Sequence, residues 1–203
     1  HSLMTRLKPG EFQELFKKWE PYLRQGLNAI PLDKHGLVYN DPVKPHSPYG
    51  FTDTVAKTGS LYMESLLYWR ACLHMFRMTS SPSDKELYLQ RCNAIESSIK
   101  YLYHSDSHAF LAATDDCAQI DIWGIAYMLY INFPCTDEIK SDILTFLKDY
   151  YDRYVWFGTT GIAENAYTTS AINNLLDAVC DLTDADPYEA YKTYVMQVAG
   201  YMA

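Results

Sequence analysis

Two loops rich in carboxylates, each followed by an apolar helical pattern, hold the residues best suited to chemistry. The first loop contains Asp53, and the second contains Asp115, Asp116 and Asp121. Two carboxyl groups with different pKa values can act as a general acid and a general base, because one keeps a proton that the other has lost. One carboxylate from each loop is therefore a candidate pair.

Asp53 allows two interpretations that do not exclude each other. The neighbouring rings of Tyr49 and Phe51 would raise its pKa by desolvation, which suits an acid, whereas Lys57 would keep it ionised if it lies close. Alternatively, Asp53 caps the helix that follows and accepts hydrogen bonds from the first amide groups.

The acidic residues outside this loop also have structural alternatives. Asp121 lies near the start of a buried helical pattern, where a carboxylate stabilises the helix dipole. Asp115 and Asp116 are alternatively solvated loop charges or caps. Glu164 is a further candidate, although its place at the start of a later helix accounts for it equally well.

Aromatic side chains near the two loops offer faces on which a sugar ring can stack. Tyr49 and Phe51 lie in a loop and are the better candidates for ligand contact. Trp69 and Trp123 fall on apolar helical stripes, where core packing is the alternative, and Tyr127 follows Trp123 by one helical turn.

Helical spacing of apolar residues dominates the chain, and no hairpin or alternating strand pattern appears, so we predict an all-α fold of about seven helices. Pro21 is expected to bend or split the first of them. The predicted helices are Glu11 to Ile30, Tyr62 to about Thr79, Asp84 to Tyr103, Ile120 to Phe133, a segment capped by Thr136, Ile162 to Leu182, and Pro187 to the end.

The helical stripes also predict the core. Glu64 and Arg70 fall on the polar side of the second helix, where we expect them to pair with neighbours. The inward-facing residues of the first and third helices are predicted to be Phe12, Leu15, Phe16, Trp19, Leu23 and Leu27, and Leu87, Leu89, Cys92, Ile95, Ile99 and Leu102.

Long and short connections alternate between these helices. The long ones are Pro31 to Thr52 and His104 to Gln119. If adjacent helices are antiparallel, the long loops gather at one end, where loops on a rigid scaffold commonly build a functional site.

The motif YGFTDT before an aromatic-rich helix, and QIDIWG followed by AY, resemble the six-hairpin glycosidase superfamily over roughly Gly36 to Ile131. The resemblance implies an α/α toroid of antiparallel helical hairpins with a sugar cleft where the long loops gather. It implies that Asp53 and Asp121 line the cleft, and we predict them as the catalytic pair. The predicted substrate-binding residues are Tyr49, Phe51, Lys57, Trp69, Asp116, Trp123 and Tyr127.

Seven helices make little more than three hairpins, about half of such a toroid. We therefore expect an incomplete barrel in a single domain, residues 4–203, with His1 to Leu3 as a vector remnant. A missing segment is expected near Gly158 to Gly161, where the character of the sequence changes abruptly.

The favoured function is glycoside hydrolysis of an oligosaccharide or glycoside. A lyase or epimerase on the same barrel would use His or Tyr for proton transfer instead. The alternative class is a non-catalytic helical scaffold or a sugar- or protein-binding module, although no internal repeat of fixed period supports a regular solenoid.

Composition limits the partners and the compartment. The net charge is −8, with no basic stripe, which argues against nucleic acid. The five cysteines include no CxxC spacing, and no apolar run is long enough to span a bilayer. We predict a cytoplasmic protein with a small carbohydrate substrate, no membrane partner, no metal and no cofactor; the oligomeric state stays open.

Overall fold

The computed structural model describes residues 7–45, 57–116 and 120–149. This part of the chain is mostly helical, which confirms the predicted helical character, and two pairs of very short strands join the helices. The helices are α1 (Pro9–Ala29), α2 (Tyr62–Met78), α3 (Pro82–Ser98), α4 (Ile122–Tyr130) and α5 (Asp137–Asp149). The strands are β1 (Tyr39–Asn40), β2 (Gly59–Ser60), β3 (Tyr103–His104) and β4 (Ala109–Phe110). The predicted sixth and seventh helices, with Glu164 and the expected discontinuity near residues 158–161, lie outside the described residues.

Helix α1 runs unbroken through Pro21, so the expectation of a split helix is wrong. Phe12 and Phe16 are buried before the proline, and Leu27 is buried after it. Packing on both sides of Pro21 stabilises the continuous helix, although proline removes one backbone hydrogen bond. The buried face predicted for α1 is too wide, because Trp19, which the pattern assigns to it, is 49% exposed. Leu23 is also exposed.

Helices α2 and α3 form a tight pair joined by a short connection, as the sequence predicts. Ser81 caps α3 by accepting a hydrogen bond from the Asp84 amide, and Pro82 occupies the first helical position, where its missing N–H costs nothing. Helix α2 is covered widely, because it contacts α1, α3 and α4. Its buried residues are Tyr62, Glu64, Ser65, Leu66, Tyr68, Trp69, Cys72 and Met75.

The third predicted helix is shorter and less buried than its pattern indicates. Helix α3 ends at Ser98, and a 3₁₀ turn at Ile99–Leu102 follows it. Leu87 and Leu89 are exposed, so their assignment to the core is wrong. Each of these two side chains is more than a third exposed.

Helices α4 and α5 complete the described core. Helix α4 is shorter than the predicted Ile120 to Phe133, and Ile125 and Met128 lie within the core. Helix α5 is confirmed together with its cap, because the Thr136 hydroxyl accepts a hydrogen bond from the Ile139 amide at 3.3 Å.

The strands correct the expectation that the chain contains none. Strand β1 pairs with β2, and β3 pairs with β4, both antiparallel. Each strand has only two residues, which is too short for the alternation that predicts strands from sequence. Strands β1 and β4 lie in the two predicted long loops, whereas β2 lies between the first loop and α2, and β3 begins at the last residue of the predicted third helix.

Candidate functional site

The two loop-to-helix segments singled out from the sequence come together in the structure. Residues 58–62, which lead into α2, run antiparallel to residues 112–116, which precede α4 by a few residues. The Tyr62 amide donates to the Ala112 carbonyl at 3.0 Å. The pairing therefore brings the starts of α2 and α4 together.

Side chains reinforce this junction. The Thr58 hydroxyl donates to Asp116 Oδ2 at 2.8 Å and accepts from the Asp116 amide at 3.1 Å. Gly59 has a φ of +82°, and a Cβ added there would lie 2.2 Å from Thr114 Oγ1. The close approach of the two segments thus requires glycine at this position.

Asp121 is the N-cap of α4 and lies inside the junction. Its Oδ1 accepts a hydrogen bond from the Gly124 amide at 2.9 Å. Its side chain is buried, and Oδ2 meets no hydrogen-bond donor among the described residues. The carboxyl group therefore has one oxygen that is hydrogen-bonded and one that is buried without a donor among these residues.

Lys57 and Glu64 form a second buried polar group of the junction. The Lys57 ammonium lies 3.8 Å from Glu64 Oε1, and both side chains are more than nine-tenths buried. Within the described part of the chain, Glu64 Oε2 also has no hydrogen-bond partner. An ammonium and two carboxyl groups are thus withdrawn from water in one region.

Burial dominates the electrostatics of both acids. Desolvation raises the pKa of Asp121, while Lys57 and the amide groups at the start of α4 oppose the rise. Desolvation likewise raises the pKa of Glu64, Lys57 opposes it, and the charge of Asp121 adds to it. The negative charge of Asp121 therefore disfavours ionisation of Glu64.

Tyr62 forms a neutral wall of the site. Its ring stacks on Phe110 with centroids 4.5 Å apart, and its hydroxyl donates to Met128 Sδ at 2.9 Å. Burial, with the charge of Asp121 as a second cause, raises the pKa of Tyr62 well above its usual value. The phenol consequently stays protonated.

An open groove lies on the outer side of the junction. Its volume is about 590 Å³, and Ser60 and Thr114, one from each paired segment, line part of it together with the ring of Tyr101. Tyr101 is 58% exposed, so one aromatic face is accessible to a ligand from solvent.

The predicted site residues separate into three groups. The first group lies outside the described residues and consists of Asp53, Tyr49 and Phe51. Their position relative to Asp121 therefore stays a prediction. The alternative role of Asp53 as the cap of α2 is wrong, because Leu61 occupies the N-cap position of that helix.

Two of the predicted substrate-binding residues are buried. Lys57 is engaged with Glu64, as described above. Trp69 lies in the core, where its indole N–H donates to Glu96 at 2.8 Å and its ring meets the edge of Phe133. This position corresponds to the core alternative for Trp69.

The remaining predicted residues are more accessible. Asp116 is exposed at the junction, and Trp123 is half-buried in the first turn of α4. Tyr127 is half-buried one turn later, where its hydroxyl accepts from Arg70 at 3.3 Å and the Arg70 guanidinium lies 5.7 Å from its ring centroid. Asp116 and Trp123 flank Asp121 along the chain, whereas Tyr127 lies beside Arg70.

Glu64 is the site residue that the sequence pattern misplaces. Its pairing with a neighbour is correct, but it is buried rather than on a polar face. The available signal is the scarcity of charge in α2, where Glu64 stands in the first turn among apolar and aromatic residues.

The resemblance to the six-hairpin glycosidase superfamily rests on the sequence motifs alone, because the comparisons with known proteins do not add to it. Neither protein-family models, nor curated proteins, nor solved structures gave a match to this chain. Within residues 7–45, 57–116 and 120–149, no three His, Cys, Asp or Glu side chains converge as metal ligands. In the same residues, every helix is too short or too polar to cross a bilayer.

Proposed function

We propose that the protein is a carbohydrate-active hydrolase that cleaves a glycosidic bond with Asp121 as the general acid. The observation that supports it is a buried Asp121 carboxyl with one oxygen that no donor among the described residues engages, at the point where the two loop-to-helix motifs meet. Asp53, whose loop runs into the same junction, is the proposed second carboxylate.

The environment of Asp121 suits the role of general acid better than the role of general base. A glycosidase acid must be protonated at the working pH so that it can release the leaving oxygen. Burial raises the pKa of Asp121, which favours the protonated form. The second carboxylate must stay ionised at the same pH.

We propose that the helices belong to an α/α toroid of antiparallel hairpins. The α2–α3 pair and the loops that carry the small sheets support this arrangement. The groove beside the junction, with the exposed face of Tyr101, is the proposed entry for a saccharide, because sugars pack their apolar faces on aromatic rings.

A non-catalytic helical scaffold or binding module is the second candidate. Asp121 caps α4, and Glu64 pairs with Lys57, so each polar group also has a structural role. On this account the buried carboxyl groups maintain the junction, and a saccharide that binds the groove is not cleaved.

The test measures hydrolysis of a glycoside panel by the wild-type protein, Asp121→Asn and Asp115→Asn. The first variant keeps the side-chain shape and removes the acid, whereas Asp115 is an exposed carboxylate in the neighbouring loop. We expect Asp121→Asn to lower kcat about 10²–10⁴-fold with unchanged near-UV circular dichroism, and Asp115→Asn to stay near wild type. Saccharide binding without cleavage by the wild-type protein would favour the binding module.

A further inference from the structure

A turn at residues 33–37 supplies much of the lining of the groove beside the junction, and Asp33 holds this turn closed. Asp33 Oδ1 accepts hydrogen bonds from the His35 amide at 2.8 Å and from the Leu37 amide at 2.9 Å. Asp33 Oδ2 accepts from the Ser60 hydroxyl at 2.6 Å, which ties the turn to β2. This part of the lining is therefore fixed before any ligand arrives.

The same turn brings an imidazole ring against a tyrosine ring from another element. The rings of His35 and Tyr101 have centroids 4.6 Å apart and planes tilted by 42°. The His35 carbonyl accepts from the Ser98 hydroxyl at 2.9 Å, which anchors the turn to the last residue of α3. Tyr101 lies in the 3₁₀ turn after α3 and is exposed. The two rings thus form a supported aromatic surface in the groove.

The rest of the lining suits an uncharged molecule that has both apolar faces and hydroxyl groups. Leu32 contributes apolar surface and is partly exposed. The Thr114 hydroxyl accepts from the Ser60 amide at 2.9 Å, and its own proton can be donated to a ligand oxygen. The lining carries one carboxylate, Asp33, and one ammonium, Lys34, so these two charges balance.

The size of the groove indicates a ligand longer than one sugar. Its volume of about 590 Å³ lies within the range of about 300–1,000 Å³ that is typical of ligand sites. A single sugar ring would leave much of this volume empty. Sugar rings also pack their apolar faces on aromatic side chains while their hydroxyl groups exchange hydrogen bonds with polar groups. An oligosaccharide therefore fits both the size and the chemistry of the lining.

We propose that the groove is a preformed binding site for an uncharged oligosaccharide, that His35 and Tyr101 form its stacking platform, and that Asp33 positions this platform. The inference rests on the proposed function for the class of ligand and deepens it by naming the kind of chain that is bound and the residues that select it. Binding at the platform does not involve the Asp121 carboxyl group, so binding and cleavage can be measured separately.

Isothermal titration calorimetry of the full chain tests the platform. The probes are cellotriose, maltotriose and xylotriose, with trigalacturonate as a charged counterpart. The wild-type protein should bind at least one uncharged trisaccharide, and more tightly than trigalacturonate. Tyr101→Ala should weaken that binding about tenfold, because it removes the stacking face, whereas Tyr101→Phe should keep most of it. Tyr22→Ala is the matched control and should match the wild type, because Tyr22 is a 66% exposed tyrosine of α1.

Asp33→Ala tests the positioning role, because it removes the acceptor of the two amides and of the Ser60 hydroxyl. We expect it to weaken binding about as much as Tyr101→Ala does. Asp33→Asn should recover most of the affinity, since its amide oxygen can accept from the same two backbone amides. In NMR spectra, Asp33→Ala should move the His35 ring-proton signals toward their positions in Tyr101→Ala, because the ring current of Tyr101 then no longer acts on them. Unchanged His35 signals in Asp33→Ala would contradict the positioning role.

The outcomes separate this inference from the proposed function. A wild-type protein that binds none of the uncharged trisaccharides, or binds trigalacturonate more tightly, would overturn the inference, as would a Tyr101→Ala protein with wild-type affinity. If a trisaccharide binds as expected but no glycoside is cleaved, the proposed function fails and this inference stands. If the wild-type protein cleaves oligosaccharides and Tyr101→Ala does so with an unchanged KM, this inference fails and the proposed function stands.

Discussion

Gly124→Ala is the sharpest test of the junction between α2 and α4. A Cβ at this position would lie 2.4 Å from Tyr62 Cδ1 and 2.9 Å from Asp121 Oδ2. The Tyr62 ring cannot retreat easily, because it is fully buried and stacks on Phe110. The added methyl group must therefore move either the ring or the capping carboxylate.

The expected cost follows from three contributions. Overpacking in a dense core costs about 1–3 kcal/mol, and disturbing the Asp121 cap adds about 1 kcal/mol. Replacing glycine by alanine inside a helix stabilises the helix by about 1 kcal/mol, which opposes these costs. We therefore expect Gly124→Ala to lower the free energy of unfolding by about 1–3 kcal/mol, or about 2–4 °C in Tm for each kcal/mol.

Urea unfolding followed by circular dichroism measures this difference, with Gly26→Ala as the matched control. Gly26 lies inside α1, and an added Cβ there meets nothing within 4 Å. The control should be unchanged or more stable by up to about 1 kcal/mol. A Gly124→Ala protein as stable as the wild type would refute the close contact of the two helix starts.

Three further predictions concern the core, the junction and pH. Ile125→Ala should cost about 2–5 kcal/mol in urea unfolding, because Ile125 is fully buried, whereas Val43→Ala, at 83% exposed, should change stability by less than about 0.5 kcal/mol. Thr58→Val should cost about 1 kcal/mol, because it removes both hydrogen bonds of the hydroxyl to Asp116; an unchanged urea midpoint would contradict this. Burial raises the pKa of Asp121 in the folded state, so its contribution to stability is complete below its unfolded pKa of about 3.9 and is lost as the pH rises through the folded pKa. The stability of the wild type relative to Asp121→Asn should therefore fall as the pH rises above about 4; a constant or rising difference would contradict the raised pKa.

Local patterns predict the helices better than they predict which faces are covered. The stripe of α2 and the cap of α5 are visible in the sequence because each depends on residues within one or two turns. Trp19 and Leu87 fit their stripes equally well but are exposed. Their burial depends on whether another element packs there, which a helical period does not specify.

The candidate site likewise contains some features that depend on neighbouring residues and others that depend on residues distant in the sequence. Asp121 is recognisable from its position before an apolar helix, since a capping carboxylate is a local feature. Glu64 is misplaced because its partner, Lys57, reaches it from the segment before β2, and because α2 is covered by three other helices. The short strands are not predicted from local patterns, because their pairing joins residues that are distant in the sequence. The paired residues of β1 and β2, for example, are about 20 positions apart.

The measurement that tests the central claim most directly is the leaving-group dependence of hydrolysis by Asp121→Asn. A general acid matters most when the departing oxygen is strongly basic and matters little when it leaves readily as a stable anion. We expect the variant to lose most of its activity on glycosides with sugar or alkyl leaving groups and far less on activated aryl glycosides. An equal loss on both kinds of substrate would contradict the role of Asp121 as the acid.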